Sequence, residues 1–128
     1  METIIDKLKS GDILKVTRLL KGSNAILANN VTREILDHIS NGVALKLVVD
    51  GKIEGIWCSK DTGEYISLSY FYISTSMRRT FGVLELFKTG LSLVDINKPL
   101  LIETADTTGF DKYFDHVENN VYVFKGFR

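Results

Sequence analysis

The sequence predicts an α+β fold, a mixed α/β arrangement in which helices pack on a central, mostly antiparallel sheet. Two observations lead to this prediction. Apolar residues at helical spacing alternate along the chain with short runs rich in β-branched and aromatic residues. The pair Asp50-Gly51, which favours a tight hairpin turn, separates two of these runs. The predicted order of elements is β-α-α-β-β-β-α-β-α-β.

Composition limits the possible classes of protein. The 128 residues fit one domain, expected to span residues 1–128. Sixteen basic residues balance sixteen acidic ones, whereas a general nucleic-acid binder needs a basic excess. The single cysteine, Cys58, excludes an internal disulfide and favours a reducing, cytoplasmic compartment. Neither a membrane-spanning run nor the apolar stretch of a signal peptide is found, so no membrane partner is expected.

The first forty residues predict one strand and two helices. Thr3 to Leu8 alternates weakly and predicts the first strand, which Ser10-Gly11-Asp12 ends. Asp12 or Ser10 offers a side-chain oxygen that can cap a helix over residues 12–21. Apolar spacing predicts a second helix over 32–39, which Asn41-Gly42 closes with glycine at the usual C-terminal position.

The middle of the chain predicts an antiparallel meander of three strands. Val43 to Val49 is rich in β-branched residues and is followed by the Asp50-Gly51 turn. Lys52 to Ser59 forms the returning strand. A second turn at Lys60 to Gly63 leads into a long strand from Glu64 to Ser74.

The last third predicts two helices and two strands. A polar, basic loop over residues 75–82 opens onto a helix over 82–94, and Leu100 to Thr104 forms a short strand. Thr107 to Val117 is predicted as a helix because its apolar residues recur at i, i+3, i+4 and i+7. A turn then leads into a final strand over 121–127.

This order of elements resembles the GNAT family of N-acetyltransferases over nearly the whole chain. The family signature at the loop before the long helix is Q/R-x-x-G-x-G/A, and the matching stretch is Arg79-Thr80-Phe81-Gly82-Val83-Leu84. Arg79 and Gly82 match the signature, whereas Leu84 stands where a small residue is expected. The resemblance implies that acetyl-CoA is the cofactor and that its pyrophosphate binds this loop.

Helix physics explains why such a loop holds a pyrophosphate. Amides at a helix start lack intrahelical partners, the helix dipole adds positive charge, and glycine permits close approach of a phosphate. The resemblance therefore implies a cofactor site made of Arg78, Arg79, Thr80, Phe81, Gly82, Val83 and Leu84. A β-branched residue at Gly82 is expected to abolish binding at little cost in stability. The alternative is that both arginines are solvated loop charges and that Gly82 only starts the helix.

The resemblance also implies that the pantetheine arm of the cofactor runs along the backbone of Phe71, Tyr72 and Ile73. The aromatic side chains of that segment can equally pack both faces of a central strand. The two interpretations are compatible, because the contacts proposed for the cofactor come from the backbone.

Acetyl transfer needs an acid for the departing thiolate and a base for the amine. The resemblance implies Tyr113 as the acid, because its phenol is a neutral donor at pH 7. Its place on the predicted helix stripe equally fits a core aromatic. The strand that carries the base in many family members holds only Glu64, at its start, so Glu103 and Glu54 are the substitutes. Each of them equally fits an ordinary surface carboxylate.

Other chemistries lack a motif. His38 and His116 do not form a zinc-binding pair, so no metal is expected. Cys58, next to Trp57 in the middle of a strand, fits a small packed or surface thiol better than a nucleophile.

Two functions fit the sequence. The first is an acetyl-CoA-dependent N-acyltransferase that acts on a small-molecule or protein amine. The second is a non-catalytic protein of the same fold that serves as a binding or structural module, with a protein partner or a second copy of itself. Compact proteins of this kind occur among phage-encoded proteins, including virion components. Leu84, the missing strand carboxylate and the short chain favour the second function.

Overall fold

The structure is a computed structural model that describes residues 2–21, 31–77, 80–103 and 113–126. Within these residues the elements are β1 Thr3–Lys7, α1 Ile13–Lys21, α2 Val31–Asn41, β2 Val43–Val49, β3 Lys52–Asp61, β4 Ile66–Ile73, α3 Phe81–Ser92, β5 Leu100–Glu103, β6 Phe114–Glu118 and β7 Val121–Phe124. Short 3-10 turns at Ser10–Asp12 and Thr75–Met77 precede α1 and α3. None of the described helices is long and apolar enough to cross a membrane.

The described strands form one sheet in the order β1-β2-β3-β4-β5-β7-β6. Neighbouring strands are antiparallel except β4 and β5, which are parallel. The predicted fold class and the predicted meander are therefore confirmed. At the turn between β2 and β3, Asp50 has φ of 51° and Gly51 has φ of 81°. Both values are positive, as the predicted hairpin turn requires.

The helix predicted over residues 107–117 is wrong in its last part. Phe114–Glu118 is strand β6, paired antiparallel with β7 through a turn at Asn119 and Asn120. Residues 107–112 of that prediction lie outside the described residues. Within this strand only Phe114 is buried, and Val117, which belongs to the predicted helical stripe, is 55% exposed. Cross-strand pairing with β7 decides the outcome, which a local spacing rule does not detect.

The sheet has two packed faces that differ in their helices. Helix α3 covers one face, here called the α3 face, with a core of Leu45, Leu47, Val49, Trp57, Ile66, Leu68, Ile73, Leu86, Phe87, Leu100, Ile102 and Phe114. Helices α1 and α2 cover the other, here called the α1–α2 face, with a core of Leu8, Val16, Leu20, Val31, Ile35, Ala44, Ile53, Ile56 and Cys58. Strand β4 crosses the middle of the sheet and contributes to both faces.

Candidate functional site

Strand β4 carries a bulge where its pairing with β5 ends. Cys58 of β3 pairs with Tyr70, but the next residue, Ser59, pairs with Leu68, so Ser69 is an extra residue in β4. Strand β5 pairs with the first three residues of β4, and the last of these pairs joins Leu68 to Ile102. A bulge bends its strand and redirects side chains. Strand β4 therefore bends at Ser69, where its pairing with β5 ends.

The segment predicted to contact pantetheine lies beyond this bulge. Phe71 and Ile73 pack on the α3 face, whereas Tyr72 packs on the α1–α2 face. The Phe71 ring lies edge-on to Trp57 and Phe87, with ring centroids 6.0 and 5.6 Å apart. The side chains of this segment are therefore part of both cores, and contacts to a cofactor would come from its backbone.

Helix α3 begins at the position that the sequence predicted for a pyrophosphate. Thr80, the residue before the helix, is extended, with φ of −100° and ψ of 163°. Its hydroxyl donates to the carbonyl of Met77 at 2.8 Å and does not cap the helix amides. Amides of the first helical turn can therefore serve an external anion. Arg78 and Arg79 lie outside the described residues.

Gly82 has a packing role at the start of α3. A Cβ atom at this position would lie 3.2 Å from Cδ2 of the buried Leu47. The glycine therefore lets α3 approach β2 closely. The stability cost of a β-branched residue here stays a prediction, and it depends on whether the Leu47 side chain can shift by a few tenths of an ångström.

The side chains around Gly82 face different surroundings. Phe81 is 84% exposed and Leu84 is 37% exposed, so neither fills the core. A cavity of about 360 Å³ lies beside the helix start, lined by Thr3, Val49, Thr80, Phe81, Gly82 and Glu85. The Glu85 carboxylate brings negative charge to this cavity, which disfavours an anion there.

The α1–α2 face carries a polar group that sequence reasoning missed. His38 of α2 is 5% exposed, and its Nδ1 lies 2.6 Å from the carbonyl oxygen of Glu34. Its Nε2 lies 2.9 Å from Oγ of Ser69, the bulge residue of β4. A carbonyl oxygen only accepts, so Nδ1 carries the proton in the neutral ring. Nε2 is then the acceptor, and the Ser69 hydroxyl donates to it.

Neighbouring side chains reinforce this arrangement. The Tyr70 hydroxyl donates to the Glu34 carboxylate, and burial together with this acceptor raises the pKa of Tyr70 above its ordinary value. Lys60 donates to Asp37 at 2.5 Å, and this hydrogen bond lowers the pKa of Asp37. A cavity of about 450 Å³ opens beside them, lined by Arg33, Glu34, Asp37, His38, Lys60, Thr62, Ser67 and Ser69.

A bulge explains why this group escaped prediction. In the sequence, His38 lies about thirty positions from the serines of β4, so nothing local connects them. Regular alternation would place Ser67 and Ser69 on one face and Tyr70 on the other. The bulge instead puts Ser69 and Tyr70 together on the α1–α2 face. The S-x-S spacing is the one signal in the sequence, and it is weak.

The predicted acid and base residues come from three different elements, and Glu103 directly follows the last β4–β5 pair, as Ser69 does. Glu103 is the exposed last residue of β5, one residue beyond the final pair with β4. Strand alternation puts it on the face opposite the buried Ile102, which is the α1–α2 face. Glu54 is already engaged, because it accepts a hydrogen bond from Ser74. Tyr113 lies in the turn before β6, half-buried against the α3 face, and not on a helix.

The remaining candidates for chemistry are the Cys58 thiol and possible metal ligands. Burial raises the pKa of the Cys58 thiol to about 12, which keeps it protonated and unreactive at neutral pH. Within the described residues, no set of three or more His, Cys, Asp or Glu side chains is placed to hold a metal ion.

The architecture is similar to that of several solved structures. Ard1 from Thermoplasma volcanium superimposes with a TM-score of 0.78 at 19% identity, over 96% of this chain and 95% of that one. An acetyltransferase of the GNAT family from Bacillus cereus superimposes with a TM-score of 0.73 at 17% identity, over the full length of both chains. The chain has the GNAT fold. The resemblance drawn from the sequence is thus confirmed at the level of the fold.

A third structure carries a ligand. Arabidopsis thaliana Naa50, solved with the bisubstrate analogue CoA-Ac-MVNAL, superimposes with a TM-score of 0.77 at 12% identity, over 99% of this chain and 100% of that one. No protein-family model matches the sequence, and the curated proteins contain no match. The similarity is therefore one of structure, at identities where fold is shared and function is a separate question.

Proposed function

We propose that this chain is an acetyl-CoA-dependent N-acyltransferase, built as one domain over residues 1–128, that transfers an acetyl group to a small-molecule or protein amine. The observation that carries the proposal is the start of α3, the helix that comes next after β4 and the short turn Thr75–Met77, whose first amides receive no side-chain cap from Thr80. The fold supports it, because Naa50 has the same architecture and was solved with a CoA-containing analogue.

The proposed cofactor site follows the sequence prediction. Of the amides from Thr80 to Leu84, those of Thr80 and Val83 already donate to the carbonyls of Met77 and Thr80, at 3.1 and 3.4 Å, so the amides of Phe81 and Gly82 hold the pyrophosphate. Arg78 and Arg79 add positive charge and hydrogen bonds. The exposed ring of Phe81 stands at the outer edge of this site. The backbone of Phe71, Tyr72 and Ile73 holds the pantetheine arm by strand-like hydrogen bonds.

Acetyl-CoA supplies a thioester whose carbonyl carbon the amine attacks. Tyr113 donates its phenolic proton to the departing thiolate, and this donation stabilises the leaving group. Glu103, at the end of β5, is the sequence-derived candidate that takes a proton from the amine. Its position one residue beyond the last β4–β5 pair places it beside the end of that pairing.

Calorimetry with acetyl-CoA tests the proposed function. The wild type is expected to bind, and Arg79→Gln is expected to weaken binding by roughly tenfold, the size of one lost charge-assisted hydrogen bond. Arg18→Gln is the matched control, because Arg18 is an exposed arginine on α1, far in sequence from the loop. Absence of heat from the wild type at millimolar acetyl-CoA would reject the proposal.

A non-catalytic binding or structural module is the second candidate. Leu84 stands where the family signature has a small residue, and it is 37% exposed at the helix start. Glu85 adds a negative charge to the cavity beside the same helix start. Under this alternative the chain binds a protein partner or a second copy of itself, and a virion component is one such role.

For the enzyme we propose a cytoplasmic location, which suits the free thiol of Cys58.

A further inference from the structure

We propose that Ser69 and His38 form the proton relay that takes the proton from the acceptor amine. The inference rests on the proposed acetyl transfer and supplies the base that β4 lacks as a carboxylate. It assigns a function to a pair of side chains on α2 and β4 that no sequence motif indicates. The relay competes with Glu103 for the role of base, so the two are compared directly below.

The geometry is that of an oriented base and its hydroxyl partner. The carbonyl oxygen of Glu34 holds Nδ1 of His38 at 2.6 Å, which fixes the ring and leaves Nε2 as an acceptor. The Ser69 hydroxyl lies 2.9 Å from Nε2. A hydroxyl bonded to an imidazole whose other nitrogen is oriented by a third group is the arrangement that activates hydroxyls in enzymes. The Tyr70 ring also packs against the imidazole in an edge-to-face arrangement, with 6.1 Å between the centroids of the two rings.

The two members of the pair differ in exposure in the way a relay requires. His38 is buried, with 5% of its surface exposed, whereas Ser69 is exposed and lines the cavity of about 450 Å³. His38 lines the same cavity but exposes little of its surface there, so an acceptor reaches the Ser69 hydroxyl more readily than the ring. Ser69 also directly follows Leu68, the last β4 residue that pairs with β5. The hydroxyl thus lies next to the segment proposed to hold pantetheine.

The proton steps balance. As the amine nitrogen forms its bond to the acetyl carbon, the bond from that carbon to sulfur breaks. The nitrogen gives up a proton to Oγ of Ser69 while the Ser69 proton passes to Nε2 of His38. The imidazole becomes a cation and later releases its proton to solvent. The products are the acetylated amine and, after protonation of the thiolate, free CoA.

Charged groups of both signs surround the imidazole that becomes a cation in this step. Asp37 is paired with Lys60, and the Glu34 carboxylate accepts from Tyr70. These carboxylates stabilise the imidazolium, while Lys60 and Arg33 oppose it. The Cys58 thiol stays protonated and adds no charge. The titratable and charged groups described around the pair are Arg33, Glu34, Asp37 and Lys60 of the same cavity, Tyr70 and Cys58 of the same face, and Glu103, which follows the last β4–β5 pair beside Ser69.

The test measures thiol release from acetyl-CoA with three acceptors, which are spermidine, a short peptide with a free N-terminus, and water. We expect His38→Gln to lower kcat by about a hundredfold and Ser69→Ala by at least about tenfold, in the range of positioned base catalysis. The KM for acetyl-CoA should stay within about twofold, because neither residue is proposed to hold the cofactor. Wild-type activity should fall on the acid side, where a protonated imidazole cannot accept, and His38→Gln should lose that dependence.

Matched controls separate the relay from a structural role. His116→Gln removes the exposed histidine of β6, and Ser92→Ala removes a hydroxyl that bonds only locally at the end of α3. Both are expected to keep wild-type turnover. Nitrogen NMR of the imidazoles supplies a readout independent of activity. It should show His38 of the neutral protein protonated at Nδ1, with an Nε2 signal that shifts in Ser69→Ala.

The outcomes distinguish this inference from the proposed function. Failure of the wild type to bind acetyl-CoA, or to release thiol above the buffer rate, overturns both. Normal turnover in His38→Gln and Ser69→Ala, with a large loss in Glu103→Gln, overturns the relay alone and makes Glu103 the base. A proton at Nε2 of neutral His38 likewise overturns the relay.

Discussion

Strand β4 makes different kinds of contact on the two faces of the sheet. On the α3 face, Phe71 of β4 joins an aromatic cluster in which Phe87 lies at the centre, with ring centroids 5.2 to 6.0 Å from its neighbours. On the α1–α2 face, Ser69 and Tyr70 of the same strand hydrogen-bond to His38 and Glu34 of α2. Strand β4 thus contributes ring packing to one face, and to the other it adds directed polar contacts beside an apolar core.

The bulge at Ser69 produces this difference. A regular strand would direct Tyr70 to the α3 face, where no partner for its hydroxyl is described. The extra residue moves Tyr70 to the polar face, so that its hydroxyl reaches Glu34 and the Ser69 hydroxyl reaches His38. A buried polar group costs stability unless it is bonded, so the position of the bulge decides which side chains can be polar.

The largest expected effect comes from breaking the packing of the α3 face. A Cβ atom at Gly90 of α3 would lie 2.3 to 2.5 Å from three ring atoms of Trp57, which is fully buried and donates from Nε1 to Ser59. We expect Gly90→Ala to lower the free energy of unfolding by about 3 kcal/mol, although alanine normally stabilises a helix relative to glycine. Chemical denaturation followed by fluorescence measures it.

Two variants make that result decisive. Gly11→Ala is the control, since a Cβ atom at Gly11 meets nothing within 4 Å, and it should change stability little. Combining Gly90→Ala with Trp57→Phe should relieve part of the clash, because the smaller ring leaves room for the methyl group. A stable Gly90→Ala protein would show that α3 does not rest on Trp57.

A smaller effect is expected from the polar face. Tyr70→Phe keeps the ring but removes the hydroxyl that donates to Glu34. We expect a loss of about 1 kcal/mol, the usual net size of one hydrogen bond, because the exposed Glu34 carboxylate can bond to water instead. Tyr65→Phe is the control, since no hydrogen bond of its hydroxyl is described. If Tyr70→Phe lowered the free energy of unfolding as much as Gly90→Ala does, the polar contacts would matter as much to stability as the packing of the α3 face.

The features of this fold that could be predicted from the sequence are those that depend on local patterns. Asp50-Gly51 and the β-branched runs predicted the meander, because turn chemistry and alternation are local. The apolar spacing predicts a helix over Phe114 to Val117, because the pairing of β6 with β7 that makes it a strand is not local. The His38–Ser69 contact joins residues 31 positions apart across a bulge, and no local rule registers it.

The smallest expected effect concerns an ion pair of the α1–α2 face. Asp12 lies 2.7 Å from Lys46, which projects from β2 toward α1. Burial alone would raise the pKa of Asp12, but hydrogen bonds from Lys46 and from the Lys9 amide outweigh it and lower the pKa below the ordinary 3.8. A carboxyl whose pKa is lower in the folded state stabilises the fold above its unfolded pKa. That contribution is lost as the pH falls through the folded value.

Asp12→Asn should therefore lower the free energy of unfolding at pH 7 by about 0.5 kcal/mol, the size of a solvent-screened pair. The deficit should shrink as the pH falls below 3.8 and vanish once Asp12 of the wild type is protonated. Urea denaturation at pH 7, 5 and 2.5 measures the difference, with Glu118→Gln on the exposed edge strand as the control. A deficit that stays the same size at all three pH values would show that Asp12 does not stabilise the fold through its charge.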